Sequence, residues 1–268
     1  MDLKAVNQRG LVLVGCGRMG GAMLQGWLAQ GLNPASVWVQ DPAADPAKLA
    51  GVHLNAALPD NPAVMVLAVK PQMMGDVLPA LRAAAGPETL ILSIAAGVTL
   101  ARYEAAFPGR AVVRAMPNTP AAIGQGITAM IGNPLATQDN LDLAQALLAA
   151  VGRVVRLGDE SQMDAVTALS GSGPAYVFHL IEALALAGQA QGLAPALALE
   201  LARATVAGAG ALAVAGDEDP AVLRQNVTSP GGTTAAGLAV LMDPAQGLPP
   251  LIARTVEAAA NRSRELGA

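Results

Sequence analysis

Cysteine occurs once in the 268 residues, at Cys16, so an internal disulfide is excluded and a reducing compartment fits. Aromatic side chains make up only 2% of the chain, too few for stacking platforms that hold single-stranded bases. A net charge of -4 leaves no basic footprint for nucleic acid. Two histidines and one cysteine give no metal-ligand spacing, so no metal is expected. Lysine is confined to Lys4, Lys48 and Lys70, which leaves the chain from residue 158 onward without any. No uninterrupted apolar run reaches the length of a membrane span. The short run 11–14 is broken by Gly15-Cys16-Gly17-Arg18 too early for a signal-peptide core. The expectation is a cytoplasmic protein whose partners are neither nucleic acid nor membrane.

What is present is a large apolar inventory, 53% hydrophobic against 13% charged, in a length that suits two domains. The first part alternates β-rich runs with helical patterns, the mark of βαβ units and a parallel sheet. Strands are expected at 11–14, 36–40, 64–69, 90–94 and 111–114, with edge strands at 127–131 and 153–157. Helices are expected at 21–30, 72–85, 101–107 and 138–150. From about Ser161 only helical patterns follow, at 163–169, 174–190, 195–215, 220–226, 233–242 and 248–266. Pro174, Pro195 and Pro220 suit first-turn positions, and Asp219 suits an N-cap. The fold class is therefore α/β: a Rossmann-type doubly wound sheet over 1–158, followed by an all-helical domain over 159–268. The helical faces are too apolar for one small bundle to hide, which points to pairing of subunits.

Gly15-x-Gly17-x-x-Gly20 lies between a buried-type strand and an amphipathic helix, the setting in which this spacing binds a dinucleotide. Gly15 makes the tight turn, Gly17 admits the pyrophosphate, and Gly20 lets helix and strand pack. The helix start then offers N–H groups and a positive dipole end to phosphate. Cys16 and Met19 occupy the variable positions. Asp41, 21 residues past Gly20, stands where an acid binds the adenosine ribose 2′-OH, and no basic residue follows before Lys48. That leans towards NADH, although Asp41 before Pro42 also suits a simple turn start. Lys70 ends the next strand and either lines the cofactor cleft or snorkels at its edge.

The helical domain holds one conspicuous polar stretch, Ser229-Pro230-Gly231-Gly232-Thr233-Thr234. A turn feeding a helix there presents successive N–H groups and three hydroxyls, a carboxylate site without arginine; the plain alternative is a Ser/Thr cap. Ser170-Gly171-Ser172-Gly173-Pro174 reads as a helix break that lets something approach the backbone. Pro117 and Pro120 stiffen the loop carrying Asn118 and Thr119, which faces the cofactor or shapes a turn. His179 sits in an apolar run and reads as a core or interface residue. Few acid–base groups suit reduction of a protonated C=N bond, which needs a hydride and little else, better than reduction of a ketone, which needs a positioned acid.

The motifs GCGRMG, AVKPQ, MPNTP, SGSGPAY and VTSPGGTT, in this order and spacing, resemble the pyrroline-5-carboxylate reductase family over nearly the whole chain. The resemblance implies hydride transfer from NADPH or NADH to 1-pyrroline-5-carboxylate, giving L-proline. It implies cofactor contacts from Leu13, Val14, Gly15, Cys16, Gly17 and Arg18, from Asn55, from Ala68, Val69, Lys70 and Pro71, and from Ile94, Ala95 and Ala96. With the glycine loop and the strand ends, Met19, Gly20, Asp41 and Asn118 complete the cofactor set. Thr234 is implied as the hydroxyl on the ring nitrogen, with Ser229, Gly232 and Thr233 as the carboxylate cradle and Gly231, Glu160 and Asn226 on the substrate side. A homodimer, or a ring of dimers, is implied as well. Gln40-Asp41 departs from the hydroxyl or basic residues that favour NADPH in this family. A β-hydroxyacid or 6-phosphogluconate type of dehydrogenase would need a lysine in the helical domain. A nucleotide-sensing module would give the Ser/Gly/Thr turn no task.

Overall fold

The computed structural model describes residues 4–267, apart from the side chain of Lys48. The chain divides into two compact units, one running to Gly171 and taking up the chain again from Ala260, the other Ser172–Ala259. The last strand ends at Arg156, so a boundary drawn by element type falls near 158/159, whereas the compact units part at 171/172.

The first unit holds a sheet of eight strands: β1 Leu11–Val14, β2 Val37–Gln40, β3 His53–Leu54, β4 Val64–Leu67, β5 Leu90–Ser93, β6 Val112–Met116, β7 Gly126–Gly132 and β8 Gly152–Arg156. Its helices are α1 Lys4–Arg9, α2 Arg18–Ala29, α3 Met74–Leu81, α4 Leu100–Ala106, α5 Gln138–Leu148 and α6 Met163–Val166. The spatial order is β3-β2-β1-β4-β5-β6-β7-β8, parallel except where β6 meets β7. Strand alternation sorts side chains into two cores. Leu11 and Leu13 face Met23, Leu24 and Trp27 of α2 and Leu147 and Leu148 of α5. Val12 and Val14 face Met74, Leu78 and Leu81 of α3 and Tyr103 of α4. Each such buried aliphatic contributes about 1.5–3 kcal/mol, and the Trp27 indole N–H also donates to the Leu147 carbonyl at 2.8 Å.

Several sequence expectations need correction. The stretch 127–131 is no edge strand: β7 lies between β6 and β8, and only β8 closes that end of the sheet. Its antiparallel pairing follows from the short link after β6, a 3₁₀ turn Thr119–Ile123, which leaves no room for a helical crossover. Two elements escaped the pattern, α1 and the two-residue β3, each too short to show a period. Ser170 to Gly173 does not break the helix outright. A π-helical run Thr167–Gly171 carries the chain from α6 almost to the next helix. What comes close to the backbone there is Met116, whose Cε would lie 2.6 Å from a Cβ at Gly171.

The second unit contains α7 Gly173–Ala190, α8 Pro195–Ala215, α9 Pro220–Asn226, α10 Thr233–Leu241 and the greater part of α11 Leu248–Gly267. Gly188 of α7 lets α8 approach, with Ala198 Cβ only 3.4 Å from where its own Cβ would be. Asp219 caps α9 as expected, accepting from the Ala221 N–H at 2.7 Å. Phe178, Leu186, Leu212 and Val214 are exposed in the single chain. His179 is not a core residue of this chain; it is exposed and pairs with Glu182 at 3.0 Å. By length and composition α8 is also long and apolar enough to cross a membrane, interrupted by Glu200 and Arg203.

Candidate functional site: a dinucleotide cleft and an uncapped helix start

The carboxyl ends of β1, β2 and β4 open onto a cleft of about 780 Å³. Here the strand order reverses, with β2 on one side of β1 and β4, reached after β3, on the other, the place at which open α/β sheets bind ligands. Gly15 adopts φ +91° because its carbonyl neighbourhood is closed by the next strand: a Cβ there would lie 2.8 Å from the Ala68 oxygen. A Cβ on Gly20 would run into the Gly15 carbonyl. Gly17 is the opposite case, with nothing within 4 Å of its missing side chain. It is also the N-cap of α2 and has no side chain capping the helix. An open approach to uncapped N–H groups at the positive end of a twelve-residue helix fits a pyrophosphate. Leu58, Val77, Ala80 and Leu81 add an apolar wall suited to a planar base.

Of the expected cofactor residues, Val14, Gly15, Gly17, Asp41, Asn55, Ala68, Val69 and Lys70 line this cleft. Asp41 accepts the Cys16 N–H on Oδ2 at 2.7 Å and the Ala43 N–H on Oδ1 at 2.8 Å. Asn55 clasps the Asp41 peptide, accepting its N–H at 2.9 Å and donating to its carbonyl at 3.1 Å. Cys16 is half-buried, and burial, followed by the Asp41 charge, pushes its thiol pKa up, disfavouring the thiolate. Arg18, Met19 and Gly20 form the first turn of α2, and Pro71 opens the 3₁₀ turn Pro71–Met73.

Other expected contacts stand elsewhere. Leu13 is fully buried in the core, so only its backbone is near the cleft. Asn118 lies outside the cleft lining, and both ends of its amide are committed: it donates to the Ser170 carbonyl at 3.1 Å and accepts the Ile127 N–H at 3.0 Å. Ile94, Ala95 and Ala96 follow β5 and are also outside the lining. Sequence reading missed Met73, Asp76, Val77, Ala80 and Leu81 as cleft residues. Their 3–4 spacing on α3 and the turn before it marks a single helical face and was the available signal.

The loop 94–99 and the helix start that follows it are held at three points. The Ala95 N–H donates to Ser93 Oγ at 3.3 Å, and that hydroxyl bonds the buried Tyr103 hydroxyl. Burial pushes the Tyr103 pKa up to about 12. Gly97, at φ +75°, backs onto Leu266 near the end of the chain. Where Thr99 supplies no cap to α4, Glu160 does so from 60 residues away: its Oε1 accepts the Leu100 N–H at 2.8 Å and pairs with Arg114 at 2.6 Å.

In the second unit the stretch 229–234 does not form a side-chain cap. The N-cap of α10 is Gly232, no side chain bonds the helix start, and Gly231 before it takes φ +72°. Ser229, Thr233 and Thr234 are exposed around that start, and Asn226 is the last residue of α9.

Residues 160–266 match the family described as pyrroline-5-carboxylate reductase dimerisation. The curated pyrroline-5-carboxylate reductase of Pseudomonas aeruginosa is 42% identical over 264 residues, covering 96% of each chain. The chain belongs to the pyrroline-5-carboxylate reductase family. Another pyrroline-5-carboxylate reductase, from Synechocystis, is 49% identical over 204 residues, covering 76% of this chain and 75% of its own. The solved pyrroline-5-carboxylate reductase of Coxiella burnetii superposes with a TM-score of 0.88 at 35% identity, covering 98% of this chain and all of its own. That of Plasmodium falciparum, solved with NADP bound, gives 0.83 at 27% identity over 98% and 99%. Residues 10–97 additionally match the family described as NADP oxidoreductase, coenzyme F420-dependent.

Proposed function

We propose that this chain reduces 1-pyrroline-5-carboxylate to L-proline with NADPH or NADH, the last step of proline synthesis. The observation that carries the reading is the start of α10, a nine-residue helix whose N-cap is glycine and whose first turn no side chain caps. Ser229, Gly232 and Thr233 hold the substrate carboxylate there, and Gly231 shapes the turn. Each charge-assisted hydrogen bond contributes about 1.5–3 kcal/mol, and the helix dipole about 0.3–1 more. Thr234 bonds the ring nitrogen, and Asn226 stands on the substrate side. Glu160 is assigned a positioning role, because its Oε1 serves Leu100 and Arg114.

The bound cofactor supplies the hydride that the imine carbon accepts. A protonated imine is already electrophilic, so the protein contributes orientation and a hydrogen-bond partner at nitrogen rather than a strong acid. Leu13, Val14, Gly15, Cys16, Gly17, Arg18, Met19, Gly20 and the β4 end Ala68-Val69-Lys70-Pro71 are assigned to the cofactor, with Ile94, Ala95 and Ala96 at the neighbouring strand end. Asn118 holds its loop in place for them. The exposed apolar faces of the second unit are read as homodimer surface, with dimers able to close into rings. The single cysteine and the small-molecule substrate fit a place in the cytoplasm.

The test follows oxidation of the reduced nicotinamide by absorbance, with the imine against 6-phosphogluconate and simple hydroxyacids. Turnover is expected with the imine. Thr234→Ala should lower kcat/KM about 10–100-fold, with cofactor binding unchanged and Thr234→Ser largely active. Tight cofactor binding without turnover of any substrate would favour a sensor instead, and unaltered kinetics in Thr234→Ala would remove its role.

A further inference from the structure

NADH and NADPH deliver the same hydride and differ only at the 2′ position of the adenosine ribose, far from the reacting carbon. We propose that this chain is built for NADH and rejects NADPH through Asp41, a residue held in place by Cys16, Ala43 and Asn55.

Asp41 follows β2 directly and lines the cleft. Its carboxylate bridges the glycine loop and the turn after β2, through the Cys16 and Ala43 amides at 2.7 and 2.8 Å. Its peptide is fixed on both sides by the Asn55 amide, and Asn55 itself sits in the left-handed region at φ +49°. The carboxylate therefore cannot swing aside without giving up two charge-assisted hydrogen bonds. Each oxygen has one amide partner and a second lone-pair site. The two free sites suit a pair of ribose hydroxyls, which donate. A 2′-phosphate offers acceptor oxygens and negative charge to an acceptor-only, negative group.

Among the described residues, the cleft lining offers one cation and no guanidinium to offset that repulsion. The charged ones among them are Asp41, Asp76 and Lys70, with no arginine. Lys70 lies beyond the end of β4, and β1 separates β4 from β2. Two strand spacings separate its backbone from the end of β2 by roughly 10 Å, so it is not the immediate neighbour of a 2′ substituent beside Asp41. The Cys16 amide is also occupied by Asp41. The pyrophosphate is left with Gly17 and the first turn of α2.

The inference rests on the reading above only through the choice of the imine as substrate, so two measurements separate them. The first is titration calorimetry of NAD⁺ and NADP⁺ with the full-length protein, which needs no turnover. The second is kcat/KM for NADH and NADPH on the imine. NAD⁺ is expected to bind at least about tenfold tighter, and NADH to be preferred by a similar factor. Asp41→Asn keeps one acceptor oxygen without the charge, and Asp41→Ser removes both oxygens. Both should bring the NADH/NADPH ratio to within about threefold of unity. A ratio within one preparation is independent of how much of that variant folds. Equal binding of the two dinucleotides by the wild type, a preference for NADPH, or an unchanged ratio in Asp41→Asn would overturn the proposal. If neither cofactor reduces the imine, the proposed reaction fails, and the binding ratio alone decides the role of Asp41.

Discussion

Glu160→Ala tests whether this carboxylate braces the fold or touches the substrate. Arg114 is 5% exposed and pairs with Glu160, whose side chain is 29% exposed. Removing one member of a fully buried pair costs about 3–5 kcal/mol, and partial exposure of Glu160 reduces this to about 2 kcal/mol. The Leu100 N–H at the start of α4 loses its acceptor as well, and Thr99 does not replace it, which adds about 1 kcal/mol. The sum, about 3 kcal/mol, corresponds to a fall in Tm of roughly 6–12 °C for a unit of this size. Thermal melts followed by circular dichroism measure it. Glu160→Gln keeps an oxygen for Leu100 and should lose only about 1 kcal/mol. A direct substrate contact predicts the reverse pattern for Glu160→Gln, a lowered kcat/KM at wild-type Tm. Melting of Glu160→Ala within about 1 °C of the wild type would refute the brace.

The glycine loop separates space needed by the ligand from space needed by the fold. Gly17→Val points into the open and should leave stability within about 0.5 kcal/mol while weakening cofactor binding at least about tenfold. Gly20→Ala meets the Gly15 carbonyl and should destabilise by about 1–3 kcal/mol in urea titrations. The buried Tyr103 predicts an alkaline limb. Its pKa is about 12 in the fold and about 10 when unfolded, so the unfolded state loses the proton first and stability falls as pH rises from 10 to 12. The loss should approach about 2–3 kcal/mol, and Tyr103→Phe should flatten that part of the profile. A profile unchanged by Tyr103→Phe would show that the slope comes from elsewhere.

Much of the fold was legible because its signals are local. The run Leu11-Val12-Leu13-Val14 is apolar at every position because both faces of its strand are covered. α8 and α9 begin at Pro195 and Pro220, as first-turn prolines require. The π-helical run Thr167–Gly171 was not legible, since its serine and glycine residues also suit a break. Asn55 and Asn118 are a harder case. Both are polar residues near strand ends, and both carried the expectation of a cofactor contact. Their amides bond Asp41 in one case and Ser170 and Ile127 in the other.

By itself the sequence determined the periods, the glycine turn, the order of the two kinds of domain and the family to which the motifs belong. Each period and each motif depends on residues two to a few positions apart, and their order along the chain does the rest. Only the tertiary structure decided that β7 runs antiparallel inside the sheet, that α3 walls the cleft, and that Asp41 is locked onto the Cys16 amide. It alone paired Glu160 with Leu100 and Arg114. The reason is physical: a side chain's partner is chosen by which strand ends and helix starts the packed cores bring together, and no local spacing encodes a meeting across 60 residues.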